Sequence, residues 1–326
     1  MIHGDARRAA LEAWLADHFR GERFSLTPAS EDASFRRYFR TTLSDGRSFV
    51  AMDAPPDKED CRPFVHVAGL LASAGVHAPG IHARDLSQGF LLLTDLGTTT
   101  YLQALGEHNA SSLYSDAIEA LVRWQLATRP GMLPDYDEAL LRRELALFPE
   151  WYLGRHLNAG LRPEDRQLLE ELFGLLVRSA LAQPRVYVHR DYMPRNLMVC
   201  NPNPGVLDFQ DAVCGPITYD MVSLMRDAFI SWDEERVLDW TVRYWEKARH
   251  AGLPVGADFG EFWRAFEWMG LQRHLKVLGI FARINYRDGK PRYLADTPRF
   301  LGYARAVAGR YRELGGLARL LGEVAP

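Results

Sequence analysis

Cysteine is scarce in this 326-residue chain, and the three present, Cys61, Cys200 and Cys214, are odd in number and far apart. That excludes a disulfide framework and leaves no zinc-ligand spacing, so plain thiols in a reducing compartment are expected. No apolar run approaches the roughly 20 residues that cross a bilayer, and the opening MIHGDARRAALEAW lacks the apolar core of a signal peptide. Charge of one sign is missing too. Thirty-nine Lys plus Arg against 42 Asp plus Glu leave a net charge of −3, which offers no global attraction to nucleic acid or acidic membranes. Internal repeats and low-complexity segments are absent. These lacks predict a cytoplasmic protein with no nucleic-acid or membrane partner, and a monomer is expected.

What is present is ample apolar material, 47% of residues, over a length that suits two lobes. Residues 5–19 read as a helix, with Leu11, Trp14, Leu15, His18 and Phe19 at three- and four-residue spacing. The period then changes. RFSLTPA, SFRRYFRTTL and RSFVAMDA read as three antiparallel strands with SDGR as the tight turn between the last two. A helix is expected over 61–74 and a buried strand in GFLLLTDLG, with a lobe boundary after Gly97. Beyond it, helices are expected over 111–127, 138–158 with a kink at Pro149, 164–182, and from 217 onward. Long loops are expected at GLPVGADFG and NYRDGKPRYLADTP, and aromatics at helical spacing in EFWRAFEWMG and WTVRYWEKA are expected to pack the core. The fold class expected is α+β: a small antiparallel-sheet lobe, residues 1–97, and a larger helical lobe, residues 98–326.

One stretch interrupts the helical half. VYVHRDYMPRNLMVC places His189, Arg190 and Asp191 between two strand-like apolar runs, which predicts a hairpin supporting a polar loop. Asn196 follows Asp191 at the spacing H-R-D-x-x-x-x-N, and GVLDFQDA supplies Asp208 in an Asp-Phe pair. Phosphoryl transfer needs a group to accept or orient the attacking hydroxyl proton and oxygen ligands for the magnesium that neutralises phosphate charge. This pattern is the kinase catalytic loop and metal segment. Asp191 is therefore the candidate catalytic residue, and Asn196 with Asp208 the candidate Mg2+ ligands.

At these residues the chain resembles the aminoglycoside phosphotransferase-like kinases, a protein-kinase-like bilobal family that phosphorylates small hydroxylated molecules. HRDYMPRNLMV, DFQDAVCGPITYD, DASFRRYFR, GFLLLTDLG and YRDGKPRYLADTPRF are similar above all to the bacterial cell-wall sugar kinases. Those enzymes phosphorylate N-acetylmuramate and N-acetylglucosamine at the anomeric hydroxyl in peptidoglycan recycling. The resemblance implies ATP as phosphoryl donor, and Asp220 matches the family aspartate that braces the catalytic loop.

Two kinase features are missing. There is no G-x-G-x-x-G, and Asp53 in VAMD occupies the place of the phosphate-pairing lysine. Nucleotide contacts are therefore expected from Arg36 and Arg40, which share one face of a strand, and from the backbone around Asp32 to Ser34. The adenine is expected at Thr94, Asp95 and Leu96. Tyr192, Arg195 and Asp211 lie near where an acceptor would bind. Between Arg273 and Arg312 ten Lys plus Arg face two Asp, with Arg273, Lys276 and Arg283 on one helix face and Arg287 in the loop beyond. Such a segment suits a carboxylated sugar better than a polycationic aminoglycoside or a choline-like acceptor. A solvated basic face is the other reading, and a non-catalytic kinase-fold binding module is the alternative encouraged by the two missing features.

Overall fold

The computed structural model describes residues 2–30 and 35–324. Helix α1 (Ile2–His18) is followed by β1 (Phe24–Ser30), β2 (Arg37–Leu43) and β3 (Ser48–Asp53), then α2 (Arg62–Ser73), β4 (Ile81–Asp85), β5 (Phe90–Thr94) and the short α3 (Tyr101–Ala104). The five strands form one antiparallel sheet in the order β1-β2-β3-β5-β4. The three expected strands are its first three. Edge strand β4, which the apolar pattern did not mark, exposes alternate residues and so carries little hydrophobic signal.

Along β2, Phe39, Thr41 and Leu43 turn inward while Tyr38, Arg40 and Thr42 take the other face. Helix α1 lays Leu11 and Leu15, with Phe19 just past its end, onto Phe39, Leu43, Ala51, Phe90 and Leu92. Each such side chain taken from water contributes about 1.5–3 kcal/mol, so α1 is an integral layer of this sheet.

The chain continues into α4 (Ala110–Leu126), α5 (Glu138–Leu145), a π-helical stretch Phe148–His156, α6 (Pro163–Leu181) and β6 (Arg185–Val188). The kink expected at Pro149 is this π-helical stretch, since proline withholds the N–H an α-helix would use there. Strands β7 (Leu197–Met198) and β8 (Gly205–Val206) pair with each other, and β9 (Val213–Pro216) pairs with β6. The single hairpin expected across the motif is thus corrected to two separate ladders. Arg190, at φ 77°, turns the chain away after β6, and each strand finds its partner downstream. Helices α7 (Tyr219–Met225), α8 (Glu234–His250), α9 (Phe259–Asp288), α10 (Thr297–Arg310) and α11 (Gly315–Val324) complete the chain. Helix α9 runs through NYRD, expected as loop, and stops at Gly289, whose φ of 68° forms its left-handed cap.

By internal contacts the chain forms two compact units, residues 1–104 with 195–211, and residues 105–194 with 212–326. Segment 195–211 joins the first through specific ties. Val199 N–H donates to Thr99 O at 2.9 Å, Val206 N–H to His77 O at 2.7 Å, and the Phe64 and Phe209 rings meet at 4.6 Å. Asn196 and Asp208 therefore belong with the sheet unit, and Asp191 with the helical unit.

Candidate active site

In the sheet unit, the polar face of β2 and the end of β5 open onto a cavity of ≈ 300 Å³. Arg40, Thr94, Asp95, Leu96, Arg195, Asn196 and Asp208 all line it, beside the apolar Val50, Leu93, Met198, Leu207 and Phe209. A mostly apolar slot with a few convergent polar groups suits a flat ring carrying a polar tail. The strands position these residues through alternation: Tyr38 and Arg40 project from the face of β2 opposite Phe39.

Asp208 adopts φ 62°, a left-handed conformation that costs most residues energy and that Asp tolerates. Its Oδ2 accepts from the Asn196 amide at 3.4 Å and its Oδ1 from Gln210 at 2.9 Å. Arg36 lies 3.7 Å from Asp208 and 3.9 Å from Glu59. Arg40 forks onto Asp95 at 2.7 and 3.0 Å and donates to Gly97 O at 2.8 Å, tying β2 to the segment after β5. Although burial opposes ionisation, the Arg40 hydrogen bond holds the Asp95 carboxyl below its usual range. The Thr94 amide is committed to Gly80 O at 2.9 Å. Asp211 and Arg195 are exposed. Ser34 and the Asp32 to Ser34 backbone lie outside the described residues.

Asp53, the residue at the lysine position, is fully buried between Arg7 and Arg37, accepting from their Nε atoms at 2.9 and 3.0 Å. The polarity of that position is inverted for a structural purpose: the aspartate joins α1 to β2. Arg7 was not marked by the sequence because its partner is in another element.

In the helical unit, β6 delivers the motif. His189 and Arg190 donate their amides to Asp220 at 2.7 and 3.0 Å. Asp220 opens α7 and is fully buried, and burial pushes its carboxyl up to about 7 against the pull of those two amides. Asp191 follows in the bend, its amide 3.2 Å from His189 Nδ1. Tyr192 corrects an expectation. It is buried and its hydroxyl donates to Ala117 O at 2.8 Å, so it anchors the loop to α4 and its hydroxyl is not presented to an acceptor.

The basic face expected on α9 is corrected as well. Arg273 and Lys276 are buried, at 3% and 9% exposure, because α9 is packed on several sides by other helices. Arg283 is half-buried with its Nε unpartnered, and burial together with the charge of Arg287 pushes its guanidinium below the usual arginine range. Arg287 is exposed and forks onto Asp288 at 2.7 and 3.0 Å. Glu144, which accepts from Arg190 Nη2 at 2.6 Å, carried no sequence signal because LRREL reads as an ordinary helix surface.

The model of the phosphotransferase enzyme family matches residues 25–259. Two relatives share nearly the whole length: the N-acetylmuramate/N-acetylglucosamine kinase of Pseudomonas putida is 56% identical, covering 99% of this chain and 98% of its own, and the protein of the same name from Pseudomonas aeruginosa is 57% identical, covering 97% and 96%. An ADP-bound aminoglycoside phosphotransferase has the same fold, with a TM-score of 0.61, 15% identity, and 90% and 97% of the two chains covered. The chain belongs to the phosphotransferase enzyme family.

Proposed function

We propose that the protein is an ATP-dependent kinase of N-acetylmuramate and N-acetylglucosamine, transferring phosphate to the anomeric hydroxyl and acting in cell-wall recycling. One observation carries this reading: the motif Asp191, Asn196 and Asp208 lies in a chain that aligns over at least 96% of two relatives named for those sugars.

In this reading Asp191 accepts or orients the proton of the attacking hydroxyl. A hemiacetal hydroxyl is more acidic than an ordinary alcohol, and a loose transition state needs little early proton removal, so orientation is its main task. Asn196 and Asp208 would hold Mg2+. Both present hard oxygen atoms, both line the same cavity, and the Asp208 φ of 62° fits a residue constrained by its role. Among the described residues no group of three or more His, Cys, Asp or Glu could hold a metal by itself, and Asn196 and Asp208 would be the protein's contribution to the ion. When bound, the ion neutralises charge on the phosphate oxygens.

The slot beside Thr94, Asp95 and Leu96 takes the adenine. Arg36, beside Asp208, supplies the phosphate contact that Asp53 cannot, while Arg40 holds the slot's edge through Asp95. Arg283, with an unpartnered Nε, and Arg287 are the candidates for the lactyl carboxylate of N-acetylmuramate. In this reading residues 1–97 are the nucleotide lobe and 98–326 the acceptor lobe, whereas the compact units divide after 104 and include segment 195–211 in the first. The enzyme works as a cytoplasmic monomer. No helix among the described residues is long and apolar enough to cross a membrane.

The test is ADP release with Mg2+ and ATP over N-acetylmuramate, N-acetylglucosamine, glucose, kanamycin and choline, with phosphorus NMR of any product. An amino-sugar 1-phosphate is expected. Turnover confined to kanamycin or choline overturns the sugar assignment.

A further inference from the structure

Behind the Arg190 turn, one buried carboxylate serves two cations. Arg190 Nη2 reaches Glu144 Oε1 at 2.6 Å, and the Lys276 ammonium reaches the same oxygen at 2.8 Å. The other oxygen accepts from the Tyr136 hydroxyl and, at 3.4 Å, from the Gln272 amide. Lys276 donates a further hydrogen bond to the Tyr219 hydroxyl at 3.0 Å. Glu144 is 5% exposed. Three elements distant in sequence meet there: α5, the motif loop and the middle of α9.

The charges do not balance within the group. A buried cation without its own counter-ion is expensive, so a second carboxylate is needed close by. Burial opposes both charges; Tyr219 and Glu144 favour the protonated forms of Arg190 and Lys276, and Asp191 adds to them as the further carboxylate. Against burial, Tyr219 and Glu144 also hold the Lys276 ammonium above the usual lysine range. Burial likewise opposes ionisation of Glu144, yet Lys276 and Arg190 hold it down at about 2. The backbone of the same turn is pinned separately, by Asp220 on the His189 and Arg190 amides. Asp220 fixes where the main chain runs, and the Glu144 oxygen fixes the side chain of the residue before Asp191.

We propose that Lys276 is a positioning residue for Asp191: through the Glu144 oxygen it shares with Arg190 it fixes the turn that carries the aspartate. This rests on the reading that Asp191 orients the attacking hydroxyl. Removing one charge of a buried ionic group is itself destabilising, so the replacement keeps the side chain's volume and stability is read apart from turnover. Methionine has that volume and no charge, so it separates the two roles.

The experiment compares the full chain with Lys276→Met and Lys276→Arg, each first checked for a cooperative urea transition. Lys276→Met is expected to lower kcat about 10- to 100-fold, the scale of a small misplacement of a reacting group, with both KM values within about threefold. Deuterium uptake over residues 186–193 should quicken, and Lys276→Arg should restore both readings. A folded Lys276→Met with kcat within about twofold of the parent, or a loss that arginine does not reverse, overturns the proposal. Should Lys276→Met fail to fold, Glu144→Gln with Lys276→Gln keeps a neutral hydrogen bond. The same loss is then expected, and parental kcat overturns the idea. If the parent itself releases no ADP with any amino sugar, the kinase reading fails and uptake over 186–193 decides this one: faster in Lys276→Met supports it, unchanged overturns it.

Discussion

A carboxylate at position 53 forces the question of where this enzyme finds its phosphate cation. Asp53 is fully buried with two guanidinium groups on it, and Arg7 and Arg37 keep 31% and 37% of their side chains in solvent. Asp53→Ala takes from two neighbouring arginines the carboxylate they share. We expect a loss of about 3 kcal/mol in a urea titration, the low end for a broken buried pair because the cations stay partly hydrated. Parental stability would show that the pair is not coupled. Asp191→Asn is expected to lower turnover by about 10²- to 10⁴-fold while ATP affinity, read by calorimetry, stays within a few-fold. Equal turnover would remove Asp191 from the reaction. Asp191, Asn196 and Asp208 were legible in the sequence because chemistry constrains both their type and their spacing. Glu144 and Lys276 were not, since each finds its partner in a distant element and neither stands in a spaced motif.

Helix α9 shows how an element hides its function from its own pattern. Its Arg273, Lys276 and Arg283 recur on one face, which in isolation reads as a basic stripe for solvent or an anion. In the fold only Arg283 retains partial exposure, because α9 is wrapped by the π-helical stretch, α6, α7 and α10. One glycine permits the tightest of these crossings. A Cβ on Gly279 would sit 2.4 Å from the Leu147 carbonyl carbon and 2.5 Å from its oxygen, and backbone does not move aside as a side chain would. Gly279→Ala is therefore expected to cost about 1–3 kcal/mol in the urea midpoint despite alanine's better helix propensity. A gain in stability would mean that α9 and Leu147 separate freely. The two ladders β6-β9 and β7-β8 were likewise illegible as pairings, for strands of two to four residues are too short to carry a period.

For the whole molecule, two buried carboxylates set opposite slopes of stability with pH. Glu144 is held at about 2, below its ordinary 4.5, so its contribution is complete above pH 4.5 and is lost as pH falls towards 2. Asp220 is pushed to about 7, above its ordinary 3.8, so folding favours its protonated form and stability declines as pH rises from 3.8 through 7. Urea midpoints between pH 2.5 and 8 should therefore pass through a maximum. Glu144→Gln should flatten the acid limb and Asp220→Asn the limb towards neutrality; limbs that survive both changes would assign them to other groups. The sequence by itself determined the fold class and the Asp191, Asn196 and Asp208 motif proposed for phosphotransfer, because strand and helix periods and motif spacing are local properties of the chain. Only the tertiary structure decided which cations line the cavity of the sheet unit, which are buried behind the motif, and that Asp53 serves the sheet. Those outcomes depend on partners brought together from distant segments, and burial reverses what an exposed charge would do.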